Sequence, residues 1–253
     1  MHSTKKISKV LSETQHFRKS SIGLKALKEI FKRQTSFFIY RENYRLLKKT
    51  LKINYKDLET ITSNNQKRVH FQKKIIKDIY NTITSARSFI EYFDEDKSFL
   101  ENDFDCFMKE LRNFIVHQNY IPLISKLKHT QSEQNRFESF NTIPFNDYLD
   151  NQINKFPKRH GLKKAKLFIK EIGNEPSLNN ILRSYNQKLH IYYKKIVMEI
   201  VLDNYDILKS LIQEVEVLNI RLKDCNLNVD THSPITEAHL RYLKLLIQNK
   251  ETA

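Results

Sequence analysis

The chain has little with which to turn. Three glycines and five prolines serve 253 residues. Sheet-rich folds need many tight turns, and turns draw on those two residue types. Their scarcity argues against a sandwich or barrel of short strands and favours few, long helices. Cysteine is scarce too. Cys106 and Cys225 form no C-x-x-C pair, so neither a disulfide framework nor a zinc site is expected, and a reducing compartment fits. Tryptophan is absent. No run approaches the ~18 apolar residues of a membrane span, so no membrane partner is expected. Residues 1–22 carry lysine and serine without an apolar core, so no signal peptide is expected, and the expected location is the cytoplasm. A Gly-rich phosphate loop, H-E-x-x-H and a nucleophile elbow are missing, which disfavours nucleotide-dependent and hydrolase-fold chemistry. No metal and no cofactor is expected.

What is present is positive charge. Lysine and arginine number 44 against 29 acidic residues, for a net charge of +15. Such an excess attracts polyanions, of which RNA, DNA and an anionic membrane surface are the candidates. A solvated lysine-rich surface is the bland alternative. Apolar residues make up 40%, enough for a core without staples.

Helical periodicity runs through most of the chain. The first ~20 residues read as weakly ordered, with some helical tendency. Leu24, Leu27, Ile30 and Phe31 mark one helical stretch, and Phe37, Tyr40, Tyr44, Leu47 and Leu51 a second. After a loop at 62–66, Val69, Ile76, Ile79, Ile83, Ala86 and Ile90 form one stripe. An acidic connector, Glu91 to Asp96, leads to a capping box at Ser98–Glu101, with Asp103 and Asp105 as charge favoured by a helix start. That helix is expected over about 99–119, bounded by Pro122. Residues 121–145 fit a short hairpin or an irregular loop. Helix resumes near Phe145, and a basic loop spans Lys155 to Lys166. Gly173 and Pro176 mark the next boundary. Residues 178–222 form one very long helix, or two broken near Asn204. Ser233 and Pro234 suit the start of a last helix. The fold class is all-α, a helical bundle with long helices and room for one small β-hairpin at about 121–142. The expected division is a basic leader at 1–22, a helical domain at 23–223 with an insertion at about 121–175, and a loop with a C-terminal helix at 224–253.

The helix after the acidic connector carries the chemistry. Phe104, Phe107, Met108, Leu111, Phe114 and Ile115 fall on one side. Arg112, Asn113, Val116 and His117 fall on the remaining arc. Asn113 and His117 lie one turn apart, close enough to touch. An imidazole, a guanidinium and an amide suit RNA cleavage without a metal. The 2′-OH must lose a proton and the leaving 5′-oxygen must gain one. Histidine, with an unperturbed pKa of ~6.5, serves either step near neutrality. Arginine matches the charge and shape of a phosphorane. Asn113 can orient the imidazole or bind a phosphate oxygen.

The run Phe107–His117, with Arg112-Asn113-x-x-x-His117 inside it, resembles the R-x4–6-H motif helix of the HEPN superfamily. The resemblance is sharp over about a dozen residues. It implies a HEPN-type helical bundle, a homodimer whose two motif helices line one cleft, and metal-independent endoribonuclease activity of the toxin, abortive-infection or antiviral kind. Arg112, Asn113 and His117 would inherit the catalytic roles, RNA would be the substrate, and an antitoxin or regulatory protein is a possible partner. One departure stands out. HEPN toxins silenced by tyrosine adenylylation carry His-x-Tyr, whereas Tyr120 lies three residues after His117. A non-catalytic RNA-binding or regulatory module that dimerises through the same face is the alternative, and a helical scaffold with incidental charge the third.

Lys155, Lys158, Arg159, His160, Lys163, Lys164 and Lys166 form the densest basic cluster, interleaved with Phe156 and Phe168. Of these, Lys155, Lys158, Arg159, Lys163 and Lys164 are the candidate RNA-phosphate contacts. Lys5, Lys6, Lys9, Arg18 and Lys19 form a lesser candidate. His70, His190 and His239 lack partners at ligand spacing and read as structural or surface residues.

Overall fold

The computed structural model describes residues 2–52, 61, 63–93, 102–118, 120–121, 123–129 and 134–251. Among them the architecture is all-α, with a single hairpin. The helices are α1 (His2–Ser20), α2 (Ile22–Leu51), α3 (Asn65–Phe93), α4 (Asp103–Gln118), α5 (Ile143–Lys155), α6 (His160–Ile172), α7 (Leu178–Asp203), α8 (Tyr205–Asp224), α9 (Val229–His232) and α10 (Glu237–Glu251). Strands β1 (Leu123–His129) and β2 (Gln134–Phe140) pair antiparallel, from Leu123 opposite Phe140 to His129 opposite Gln134. The hairpin therefore takes the place that the alternating pattern left open. The Ser98–Glu101 capping box, Asp94 to Asp96 and Pro122 lie outside the described residues.

The chain divides into two compact units, residues 1–34 with 194–253, and residues 35–193. These bounds differ from the leader, single domain and C-terminal piece read from the sequence.

In the first unit the leader is a nineteen-residue helix, not a weakly ordered arm. Packing decides this. Val10 is buried in a small cluster with Leu222 of α8 and Cys225 just beyond that helix. Tertiary burial outweighs the modest helical tendency of a lysine-rich segment. Gly23 allows α2 to approach α8 closely, because a Cβ there would lie 2.8 Å from Leu211 Cβ. The break at Asn204 holds, and it separates α7 from α8. The last helix starts later than Ser233 and Pro234 suggest. Thr236 Oγ1 accepts from the His239 N–H at 3.3 Å and caps α10.

The second unit takes up α2 from residue 35 on, as part of one thirty-residue helix where two stretches were expected, and Phe37, Tyr40, Leu47 and Leu51 are buried. Phe37 lies against Phe89 of α3 and stacks on Tyr193 of α7. On α3 the predicted stripe holds at Ile79, Ile83, Ala86 and Ile90, while Val69 is exposed and Phe71 and Ile75 are buried in its stead. The basic segment is mostly helix. Only residues 156–159 connect α5 to α6. Gly173, at φ +80°, ends α6 in a conformation that costs glycine little. The hairpin is anchored at its end, where the Phe140 N–H donates to the Pro176 carbonyl at 2.9 Å. Phe140 also packs edge-on against Phe107 and Phe145.

Candidate active site

The site is built on α4. Its start is set by Asn102, whose side-chain oxygen accepts from the Asp105 N–H at 2.8 Å and satisfies one of the free donors of the first turn. The apolar stripe is buried as its spacing predicts. Phe104, Phe107, Met108, Leu111, Phe114 and Ile115 are all buried, within an aromatic cluster that includes Phe145 and Tyr148 of α5 and Phe168 of α6. Full burial of one such side chain contributes about 1.5–3 kcal/mol, so the helix is firmly seated.

The N-terminal half carries polarity that periodicity alone does not mark as internal. Asp105 is completely buried. Its Oδ2 forms an ion pair with Arg87 of α3, and Tyr185 Oη of α7 donates to its Oδ1 at 3.1 Å. Arg87 also reaches Glu91 Oε1 at 2.7 Å. Burial pushes the Asp105 carboxyl above the usual aspartate range, against the opposing pull of Arg87 and the Tyr185 hydrogen bond. Burial likewise holds the Tyr185 hydroxyl well above the usual phenol range. Asp105 is therefore more than helix-start charge.

The C-terminal half carries the motif. Arg112 and Asn113 are half-buried, and His117 is exposed in the last turn. Asn113 does not turn to His117. Its Nδ2 donates to Glu110 Oε2 at 3.1 Å, one turn back. Among the described residues no hydrogen bond holds the His117 ring, and Arg112 Nε is buried without a hydrogen-bond partner. A buried donor left unpaired costs about 1–3 kcal/mol, so proteins leave few of them.

Glu110 joins this face to the basic cluster. It is 1% exposed, and its Oε1 accepts from Arg159 Nη2 at 2.6 Å. One carboxylate thus holds Asn113 of the motif and Arg159 of the α5–α6 connection. Tyr148 lies in the same neighbourhood: burial first, and the Glu110 carboxylate second, raise its hydroxyl above the usual phenol value. Lys158 sits in the same connection as Arg159 and is exposed, as is Lys155 at the end of α5. Lys163 is exposed on α6, and Lys164, half-buried, bears electrostatically on Cys106 of α4. Glu110 carries no motif signature. Its position three residues before Asn113 is the one sequence signal that could have found it.

The remaining candidates have plainer surroundings. His190 Nδ1 lies 2.9 Å from the Asn186 carbonyl, and the His239 ring rests against Phe31 at 4.1 Å. His190 is half-buried, and His239 is exposed at the surface. Cys106 and Cys225 are buried and unbonded to each other. Among the described residues no cluster of His, Cys, Asp and Glu could hold a metal, and no helix is long and apolar enough to cross a membrane. A concavity of about 810 Å³ lies between α1 and α8 in the first unit and holds none of the motif residues. No family model, curated protein or solved structure matches this chain.

Proposed function

We propose that the chain is a HEPN-like, metal-independent endoribonuclease, with Arg112, Asn113 and His117 at its reactive face. One observation carries the reading. Buried Glu110 ties Asn113 to Arg159, so the motif helix and the basic connection share one anchored carboxylate. The cations that would hold an RNA backbone thereby neighbour the groups that would act on it. The 2′-OH attacks the adjacent phosphorus, the 5′-oxygen leaves, and His117 moves a proton in that exchange. Arg112 answers the charge that builds on the phosphorane oxygens. Asn113, held by Glu110, binds a phosphate oxygen and does not steer the imidazole. A homodimer, a role as toxin or antiviral effector, and an antitoxin or regulatory partner follow from the HEPN resemblance.

The test is RNA incubated with the purified chain in EDTA. Cleavage should leave 2′,3′-cyclic phosphate and 5′-hydroxyl ends, and His117→Ala should lower the rate about 10²–10⁴-fold with the fold intact. Cleavage that persists in His117→Ala would sink the assignment. Binding without cleavage by the natural chain would turn it toward a non-catalytic RNA-binding module.

A further inference from the structure

A second polar constellation sits in the same compact unit but on other helices. A cavity of about 190 Å³ opens between the C-terminal end of α2 and the first turns of α7. Leu47, Leu51 and Leu182 form a buried floor, with the half-buried Tyr44 beside them. The Tyr44 ring stacks on Tyr40 at 6.1 Å, which fixes its plane. Lys48, Lys52 and Arg183 stand exposed at the rim, together with Asn179 and Asn180. No carboxylate lines the cavity among the described residues. Lys48 Nζ lies over the Tyr44 ring, 5.8 Å from its centroid.

Three cations around one apolar floor, Lys48 on α2, Lys52 just past its end and Arg183 on α7, repel one another, and an anion seated between them relieves that repulsion. Arg183 is partly oriented already, since its Nη2 donates to Asn180 Oδ1 at 3.3 Å. A guanidinium held in this way offers a fork that matches phosphate. The Leu floor and the Tyr44 ring call for a flat, weakly polar body attached to that phosphate. Asn179 and Asn180 carry carboxamides, which both donate and accept, as the edge of a nucleobase does. Cavities for drug-sized ligands run to about 300–1,000 Å³, so this one encloses only one end of its ligand.

We propose that the cavity between α2 and α7 binds a nucleotide bearing a terminal phosphate, with Lys48, Lys52 and Arg183 on the phosphate and Tyr44 against the base. The nucleotide is either free or the phosphorylated end of a strand; both present the same chemistry. The site shares no residue with the motif helix and stands whether or not the chain cleaves RNA.

Calorimetry on the full-length chain tests it with four probes: adenosine 5′-monophosphate, adenosine, inorganic phosphate, and one short oligoribonucleotide prepared with a 5′-phosphate and with a 5′-hydroxyl. Adenosine 5′-monophosphate should bind more tightly than adenosine or inorganic phosphate if the ligand is free. The 5′-phosphorylated strand should be preferred over its 5′-hydroxyl twin if the ligand is a strand end. In either case Lys48→Gln with Arg183→Gln should weaken binding about tenfold or more, because two charge-assisted contacts are lost. No preference for phosphorylated over unphosphorylated probes, or a preference untouched by the double variant, overturns the proposal. All altered side chains are exposed, and circular dichroism checks that the variant folds.

Discussion

The two halves of α4 treat polarity in opposite ways. At one end Asp105 is wholly enclosed, and Arg87 and Tyr185 meet both of its oxygens. At the other, Arg112 is half-buried and His117 faces solvent; a buried Nε without a hydrogen-bond partner occurs at both ends, in Arg87 and in Arg112. The first arrangement spends polar groups on one another and so fixes α3, α4 and α7 together. The second leaves the His117 ring open to solvent. The contrast separates enclosed from exposed polarity on a single helix, which residue type does not do.

Breaking the enclosed end should have the largest effect. Asp105→Ala leaves the Arg87 guanidinium, 4% exposed, without its main partner, and should cost about 3–5 kcal/mol in urea unfolding. The triple change Arg87→Met, Asp105→Leu, Tyr185→Phe should recover much of that loss, since well-packed apolar groups can replace a buried ion pair. A loss below about 1 kcal/mol for Asp105→Ala would mean that the network is not enclosed in solution.

Alkaline titration probes the same enclosure. Burial raises the hydroxyls of Tyr40 and Tyr185 above the ordinary phenol value of 10.0. A phenol whose folded pKa is raised contributes stability that is full below its unfolded value and lost as pH climbs toward the folded one. Stability should therefore hold to about pH 10 and fall above it. Tyrosinate absorbance from these two residues should appear only with the loss of helical circular dichroism. Smooth ionisation of all twelve tyrosines in a still-folded chain would contradict their burial.

Glu110 sits between the two regimes, buried itself but tied to the 38% exposed Arg159. Solvent screening of Arg159 reduces the worth of that pair. Glu110→Gln should cost about 1–2 kcal/mol, and it should also weaken RNA binding by releasing the α5–α6 connection. Unchanged RNA affinity would remove Glu110 from the site. Among the surface cations, Lys158→Gln and Lys163→Gln should each flatten the dependence of log affinity on log salt by about 0.7 for single-stranded RNA. Smallest of all is the stability effect of His117→Ala, expected within about 0.5 kcal/mol. A large loss there would make His117 a structural residue and erase the contrast between the two ends.

Much of the frame was legible from spacing. The buried stripe of α4, the break at Asn204 and the stop at Gly173 each follow from local rules of periodicity and backbone freedom. The candidate site was legible only as residue types on one arc. Its connection to the basic cluster was not, because Arg159 lies 49 positions from Glu110. The contact between Asn113 and His117 was anticipated from helix pitch. Pitch brings Asn113 equally near Glu110, and the buried carboxylate takes the amide.

Sequence by itself determined that the chain is helical, because scarce glycine and proline and a 3.6-residue apolar period leave little else. Only the tertiary structure decided which polar residues are internal. Asp103 and Asp105 read alike in a helix start, yet Asp105 alone finds Arg87, 18 residues away, and Tyr185, 80 away. A charge enters a core only where distant helices supply its partners, and that supply is a property of packing.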